Sequence, residues 1–247
     1  MTWGARCPSC CHQDGHIGKL LLNFAGFHAE ILGMPSKQNS YAKPDFWSQK
    51  AFKEGYPARS VYKLEEMDRK FGLLKGASAV LDLGSAPGSW TTWLLRNIRE
   101  DGTVVSVDLN PLAKDVRAGN LVFIQGDLLS EDVRKQIEAR GPYDLVVCDA
   151  APLTTGNRTV DTARSTALVE MALYYAQQLL KEGGSFCVKM FQNGSQQKEL
   201  QKMREIFTSA KGFKPEACRN ESFETYLIGI NKKRIIKEGV DCDVPSV

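Results

Sequence analysis

Residues 80–90 read VLDLGSAPGSW, and the architecture of the chain follows from this stretch. Val80, Leu81 and Leu83 form a short apolar run around Asp82, then Gly84, Pro87 and Gly88 interrupt it, and a helical pattern begins. That order is strand, tight turn, helix, the opening unit of a nucleotide-binding α/β domain. Gly84 and Gly88 allow a turn that a side chain would obstruct, and they are expected to let a cofactor approach the backbone closely. Neither GxGxxG nor GxxxxGK[ST] is present, so this is not a dinucleotide fingerprint or a triphosphate cradle. The next apolar run, VVSVD (104–108), ends on Asp108, where a carboxylate is placed to accept hydrogen bonds from a ribose diol. Taken alone, the stretch also suits an ordinary βα turn in a structural α/β domain.

Working outward, apolar runs predict strands over 78–83, 103–108, 121–125, 143–148 and 185–190, then a sixth over 213–218 and a seventh over 223–230. Helical spacing predicts helices over 58–71, 89–98, 130–139, 163–181 and 195–210. Residues 153–162 read as a polar loop, and Trp90 and Trp93 read as core contacts. Strands alternate with helices until the last two strands nearly adjoin. The expected fold is a mostly parallel sheet finished by an antiparallel strand, with no internal repeat. Asp127, like Asp108 and Asp149, falls at the carboxyl end of a strand, where open α/β sheets meet their ligands.

The 247 residues suit one α/β domain with short extensions. The formal charge of +3 decides little by itself. No apolar run reaches the length of a membrane span or shows signal-peptide order, so an intracellular, cytoplasmic setting is expected. Seven cysteines, an odd number, suit free thiols better than a disulfide framework. Residues 1–33 differ from the rest: they hold His12, His16, His28, Cys7, Cys10 and Cys11. Cys7 and Cys10 have chelating CxxC spacing, but no second pair completes a metal knuckle. The favoured expectation is a disordered leader. Residues 34–57 form a basic arm interleaved with aromatics, including Lys43, Lys50 and Lys53. The domain proper spans 58–232, and 233–247 is a tail.

Four charged residues stand out by their place. Lys63 lies on the entry helix and is expected outside its apolar stripe, without that stripe's burial. Asp149 ends the fourth strand, Lys189 nears the end of the fifth, and Glu224 begins the antiparallel seventh. Topology brings the last three to the carboxyl edge of the parallel strands. A lysine at the end of an apolar strand is costly unless paired. A structural ion-pair cluster is the competing explanation.

On these residues the chain resembles the FtsJ-type (RrmJ-like) ribose 2'-O-methyltransferases, a Rossmann-like class I branch. The matching stretches are ARSVYKL (58–64), VLDLGSAPGSW (80–90), VVSVDL (104–109), IQGD (124–127), LVVCDAAP (145–152), VDTARS (160–165), FCVKMFQ (186–192) and ESFETYLI (221–228). Ser89 departs from a frequent family glycine, and residues 1–33 have no family counterpart. The resemblance implies a catalytic tetrad of Lys63, Asp149, Lys189 and Glu224. It implies S-adenosylmethionine as cofactor, bound by Asp82, Gly84, Ser85, Ala86, Pro87, Gly88, Trp90, Asp108, Asp127 and Asp149, with no metal. It implies an RNA-binding face of Lys43, Lys50, Lys53, Arg59, Lys232, Lys233 and Arg234. The implied acceptor is a ribose 2'-hydroxyl, foremost a uridine of large-subunit ribosomal RNA within its subunit, modified by a monomer. Transfer RNA, a small-molecule acceptor or a catalytically inert RNA-binding role are the alternatives. Lys189 is the expected base, with Lys63 disfavouring its charge and Asp149 opposing that effect while orienting it.

Overall fold

The computed structural model describes residues 45–192, 194–219 and 222–234. The Cys/His-bearing segment and Lys43 lie outside them. The described chain runs α1 (Phe46–Lys53), α2 (Val61–Phe71), β1 (Ala79–Leu83), α3 (Ser89–Asn97), β2 (Thr103–Asp108), β3 (Leu121–Gln125), α4 (Glu131–Glu138), β4 (Tyr143–Cys148), α5 (Arg158–Leu179), β5 (Leu180–Phe191), α6 (Gln196–Ile206), β6 (Phe207–Phe213) and β7 (Glu224–Lys232).

The strands form one seven-stranded sheet in the order β3-β2-β1-β4-β5-β7-β6. β1 pairs in parallel with both β2 and β4, and β7 runs antiparallel to β5 and β6. β1 and β4 hold the centre, and Val80, Leu81, Leu83, Leu145, Val146 and Val147 are fully buried. Their continuous apolar runs suit strands covered on both faces. One apolar cluster gathers the inner sides of α4, α5 and α6, and a second gathers those of α1, α2 and α3. The expected mostly parallel sheet is present, and helices cover both its faces. Strand order reverses between β1 and β4, so the loops after these strands diverge and leave a crevice at their carboxyl ends.

Local chemistry sets several boundaries. Ser130 caps α4 by accepting from the Val133 amide, with Glu131 and Asp132 in the first turn, an arrangement worth about 1 kcal/mol. Gly72 ends α2 in the left-handed conformation at φ 66°. Several predicted spans shift; the fifth strand begins at Leu180 rather than 185, and α6 ends at Ile206 rather than 210. α5 starts at Arg158 rather than 163, because Asn157 caps it by accepting from the Thr159 and Val160 amides. The sixth strand is Phe207–Phe213, not 213–218, since the apolar side chain of Phe207 packs on Phe186 rather than continuing α6. The arm contains a helix, α1, capped by the Asp45 carboxylate.

Candidate active site

The turn after β1 is held by its own hydrogen bonds. The Gly84 and Ser85 amides donate to the Val107 carbonyl at 2.9 and 3.2 Å, and the Gly88 amide donates to Ser85 at 2.7 Å. Gly84 has φ 73° and Gly88 φ 108°, which explains both glycines. Both glycines also permit close packing within the chain. A Cβ on Gly84 would stand 2.6 Å from the Ala150 backbone, and one on Gly88 2.8 Å from Val116. Asp108 then clips the turn to the end of β2: its Oδ2 accepts from the Ala86 amide at 2.9 Å and its Oδ1 from the Asn110 amide at 2.8 Å. Asp127, just beyond β3, accepts from the Leu129 amide at 2.9 Å. Pro87 adds a carbonyl that accepts from Ala113.

Asp82 and Trp90 sit deeper than their predicted roles require. Asp82 is wholly buried under the turn, and its Oδ2 accepts from the Thr91 hydroxyl at 2.7 Å. Burial, with lesser help from Asp149 and Asp108, pushes its carboxyl up to about 7. Trp90 is a core residue whose indole donates to the Ser60 carbonyl at 2.8 Å and packs beside Tyr226. Its ring is the core contact that its helical position suggested. Three buried atoms of this unit, Asp82 Oδ1, Ser85 Oγ and Ser89 Oγ, have no hydrogen-bond partner among the described residues. Such atoms are rare and costly, and they suit a polar ligand group seated on this turn.

The four charged residues singled out by place do converge. Lys63 Nζ lies 2.7 Å from Glu224 Oε1, and Lys189 Nζ lies 3.1 Å from Asp149 Oδ1 and donates to the Asp149 carbonyl as well. Lys63 and Lys189 are each 8% exposed. Lys63 is thus buried, contrary to the expectation from its stripe, because α2 turns that flank toward the first residue of β7. Burial works against its charge, but the Asp149 and Glu224 carboxylates outweigh that and hold it above the ordinary 10.5. Two cations face two carboxylates, so Lys63 is already balanced by Glu224.

Tyr226 is a member of this cluster that sequence reasoning missed. Its hydroxyl donates to Asp149 Oδ1 at 2.7 Å, the oxygen that also meets Lys189. It pairs across the sheet with Lys189, and Lys63 Nζ lies 5.9 Å from its ring centroid. Burial, then Asp149 and Glu224, raise its hydroxyl well above the usual range, so it stays a donor. The signal was available: Tyr226 is two residues beyond Glu224, on the same face of a strand. Cys218 borders the cluster too, and burial pushes its thiol up to about 12.

The expected basic face divides. Lys50 lies 4.5 Å over the Tyr62 ring and 5.7 Å over that of Trp47, and Lys53 is exposed on the same helix. Arg59 pairs with Asp45 and donates to the Ala217 carbonyl. Lys232 is a correction. It is 5% exposed, and its ammonium donates to the carbonyls of Ala176, Gln177 and Leu180 at 3.0, 2.5 and 2.6 Å. Because β7 is antiparallel to β5, it starts with Glu224 at the carboxyl edge of the parallel strands and carries Lys232 to the opposite edge, roughly 27 Å along the strand. Lys233, which donates to the Arg204 carbonyl, and Arg234 follow it there.

Sheet order and the chemistry gathered at its carboxyl edge define a Rossmann-like methyltransferase. Residues 56–232 match the FtsJ-like methyltransferase family, and the chain belongs to that family. A Treponema denticola protein named ribosomal RNA large subunit methyltransferase E is 59% identical over 196 residues, covering 79% of this chain and 98% of its own. The protein of that name from Neisseria gonorrhoeae is 45% identical over 192 residues, covering 76% and 92%. Among solved structures, a Plasmodium falciparum protein assigned as a ribosomal RNA methyltransferase superposes with a TM-score of 0.61 at 26% identity, covering 72% of this chain and 98% of its own.

Proposed function

We propose that this chain transfers a methyl group from S-adenosylmethionine to a ribose 2'-hydroxyl, foremost of a uridine in large-subunit ribosomal RNA, acting as a monomer in the cytoplasm. The paired cluster of Lys63, Glu224, Lys189, Asp149 and Tyr226 beside the glycine turn carries this reading. The names of the relatives from Treponema denticola and Neisseria gonorrhoeae support ribosomal RNA as the acceptor.

When bound, S-adenosylmethionine supplies an electrophilic sulfonium methyl. Gly84, Ser85, Ala86, Pro87 and Gly88 would hold it together with Asp108 and Asp127, and the unpartnered Asp82, Ser85 and Ser89 oxygens answer its polar groups. Lys189 Nζ receives the acceptor hydroxyl, takes up its proton or stabilises the charge developing on its oxygen. Asp149 fixes Nζ through its carboxylate and carbonyl, and Tyr226 fixes that carboxylate in turn. Lys63 and Glu224 position the ribose. Holding donor and acceptor in line supplies much of the acceleration. Lys63 is matched by Glu224, so orientation of Lys189 replaces charge repulsion as its main activation. Lys50, Lys53 and Arg59 would meet the RNA backbone.

The test is transfer of radiolabel from S-adenosylmethionine to large ribosomal subunits from cells lacking the enzyme, with nucleotide mapping and Lys189→Ala as control. Label on one ribose 2'-oxygen, absent with the variant, is the expected result. No label on subunits or their RNA would end the ribosomal assignment, with transfer RNA and then small molecules as the next acceptors.

A further inference from the structure

One feature of the catalytic rim has no part in the chemistry above. Arg158, the first residue of α5, lies 4.3 Å from the ring centroid of Phe223. Phe223 is 54% exposed, and Leu153 and Val160, from the segment around the start of α5, are 61% and 37% exposed. Each placement carries a local cost. A cation at a helix N-terminus opposes the helix dipole, and an exposed phenylalanine leaves apolar surface in water. Local rules broken together beside a reactive cluster point to function.

The position is fixed by the chain. Phe223 immediately precedes Glu224, and its carbonyl accepts from the Gln192 amide at 2.7 Å, just beyond the strand that carries Lys189. Arg158 comes from the segment that leaves Asp149. α5 packs on the sheet face opposite the one covered by α2, which carries Lys63. The Arg158–Phe223 pair therefore flanks the tetrad on the side away from Lys63.

We infer that Phe223, backed by Arg158, is a stacking platform for a base next to the methylated ribose. This rests on the RNA reading above. Arg158 covers one part of the ring and adds positive charge for the adjoining phosphate, and the exposed remainder receives the base. Aromatic stacking of this kind tolerates any base, whereas the charge on Arg158 makes part of the affinity salt-dependent. The platform grips the nucleic acid and does not touch the reacting atoms, so its loss is felt in acceptor binding.

The experiment compares steady-state transfer to large ribosomal subunits by the wild type, Phe223→Ala, Phe223→Trp and Arg158→Gln, with S-adenosylhomocysteine affinity and thermal midpoint measured on each. Phe223→Ala is expected to raise KM for the subunit roughly tenfold, with kcat and cofactor affinity near wild type. Phe223→Trp restores KM, and Arg158→Gln raises it less and flattens its salt dependence. A wild-type KM for Phe223→Ala, or a loss that tryptophan does not restore, overturns the platform while the wild-type activity keeps the RNA reading intact. A wild type that labels no RNA removes that reading and the platform with it.

Discussion

The two edges of the sheet each bury a lysine, and they use it differently. At the carboxyl edge Lys189 is 8% exposed and lies against the Asp149 carboxylate; at the opposite edge Lys232 is 5% exposed and lies against three carbonyls. Lys232 satisfies carbonyls at the end of α5, where a cation also complements the helix dipole. Burial alone therefore does not mark a reactive lysine. What separates the two is a carboxylate partner and an open edge: Lys189 has both and Lys232 has neither.

The comparison breaks most sharply on substitution. Lys189→Ala is expected to lower the rate of methyl transfer by roughly 10²–10⁴-fold, with an unfolding midpoint close to wild type, because Tyr226 still donates to Asp149. Lys232→Met should do the reverse. It leaves buried carbonyls without a donor and lowers stability by about 1–3 kcal/mol, while the rate per folded molecule is kept. Transfer kinetics and urea unfolding on both proteins check this. Equal losses of activity would erase the distinction between the edges.

Asp82 and Tyr226 sharpen the contrast within the carboxyl edge. Asp82 is a buried charge with no counter-charge, as Lys232 is, but it underlies the glycine turn. Its carboxyl is raised from 3.8 to about 7, so the folded state holds the proton more tightly. Its contribution to stability is full below 3.8 and is lost as pH rises through about 7. Asp82→Asn should therefore gain stability relative to wild type between about pH 5 and about pH 8, by about 2–3 kcal/mol, with weaker binding of S-adenosylhomocysteine at the higher pH. Urea unfolding and calorimetry report the two halves. Tyr226→Phe removes only the hydroxyl that steadies Asp149. It should lower kcat by roughly tenfold and leave KM for the subunit unchanged, the opposite split from Phe223→Ala.

How much of this was legible in the sequence depended on whether neighbours along the chain or across the sheet decide it. The β1 turn, Asp108, Asp149, Lys189 and Glu224 were legible, because strand ends and a reversed last strand fix them by topology; Lys63 joined them through the family resemblance. Burial of Lys63 was not, since it comes from the flank of α2 that meets Glu224, far away in sequence. Lys232 looked like the start of a basic tail because Lys233 and Arg234 follow it; only the direction of β7 shows that the tail leaves at the wrong edge. Gly84 was correctly read as a turn residue, but its packing against Ala150, just beyond β4, was not legible. Tyr226 was hidden by its ordinary place in an apolar strand, although the alternation from Glu224 identifies its face.

The smallest effect separates the lysines by sign. Asp149 and Glu224 raise Lys63 above 10.5, so its contribution to stability is full below that value and is lost as pH climbs through its folded value. Burial lowers Lys232 below 10.5, so the cost of its buried charge is full at lower pH and fades as pH rises toward 10.5. Urea unfolding from about pH 8 to about pH 11 should show the lead of the wild type over Lys232→Met growing up to 10.5. Its lead over Lys63→Met should hold steady up to 10.5 and shrink above it. Parallel curves would mean that the carbonyls hold the Lys232 proton as firmly as the carboxylates hold that of Lys63, and the two edges would then differ in access alone.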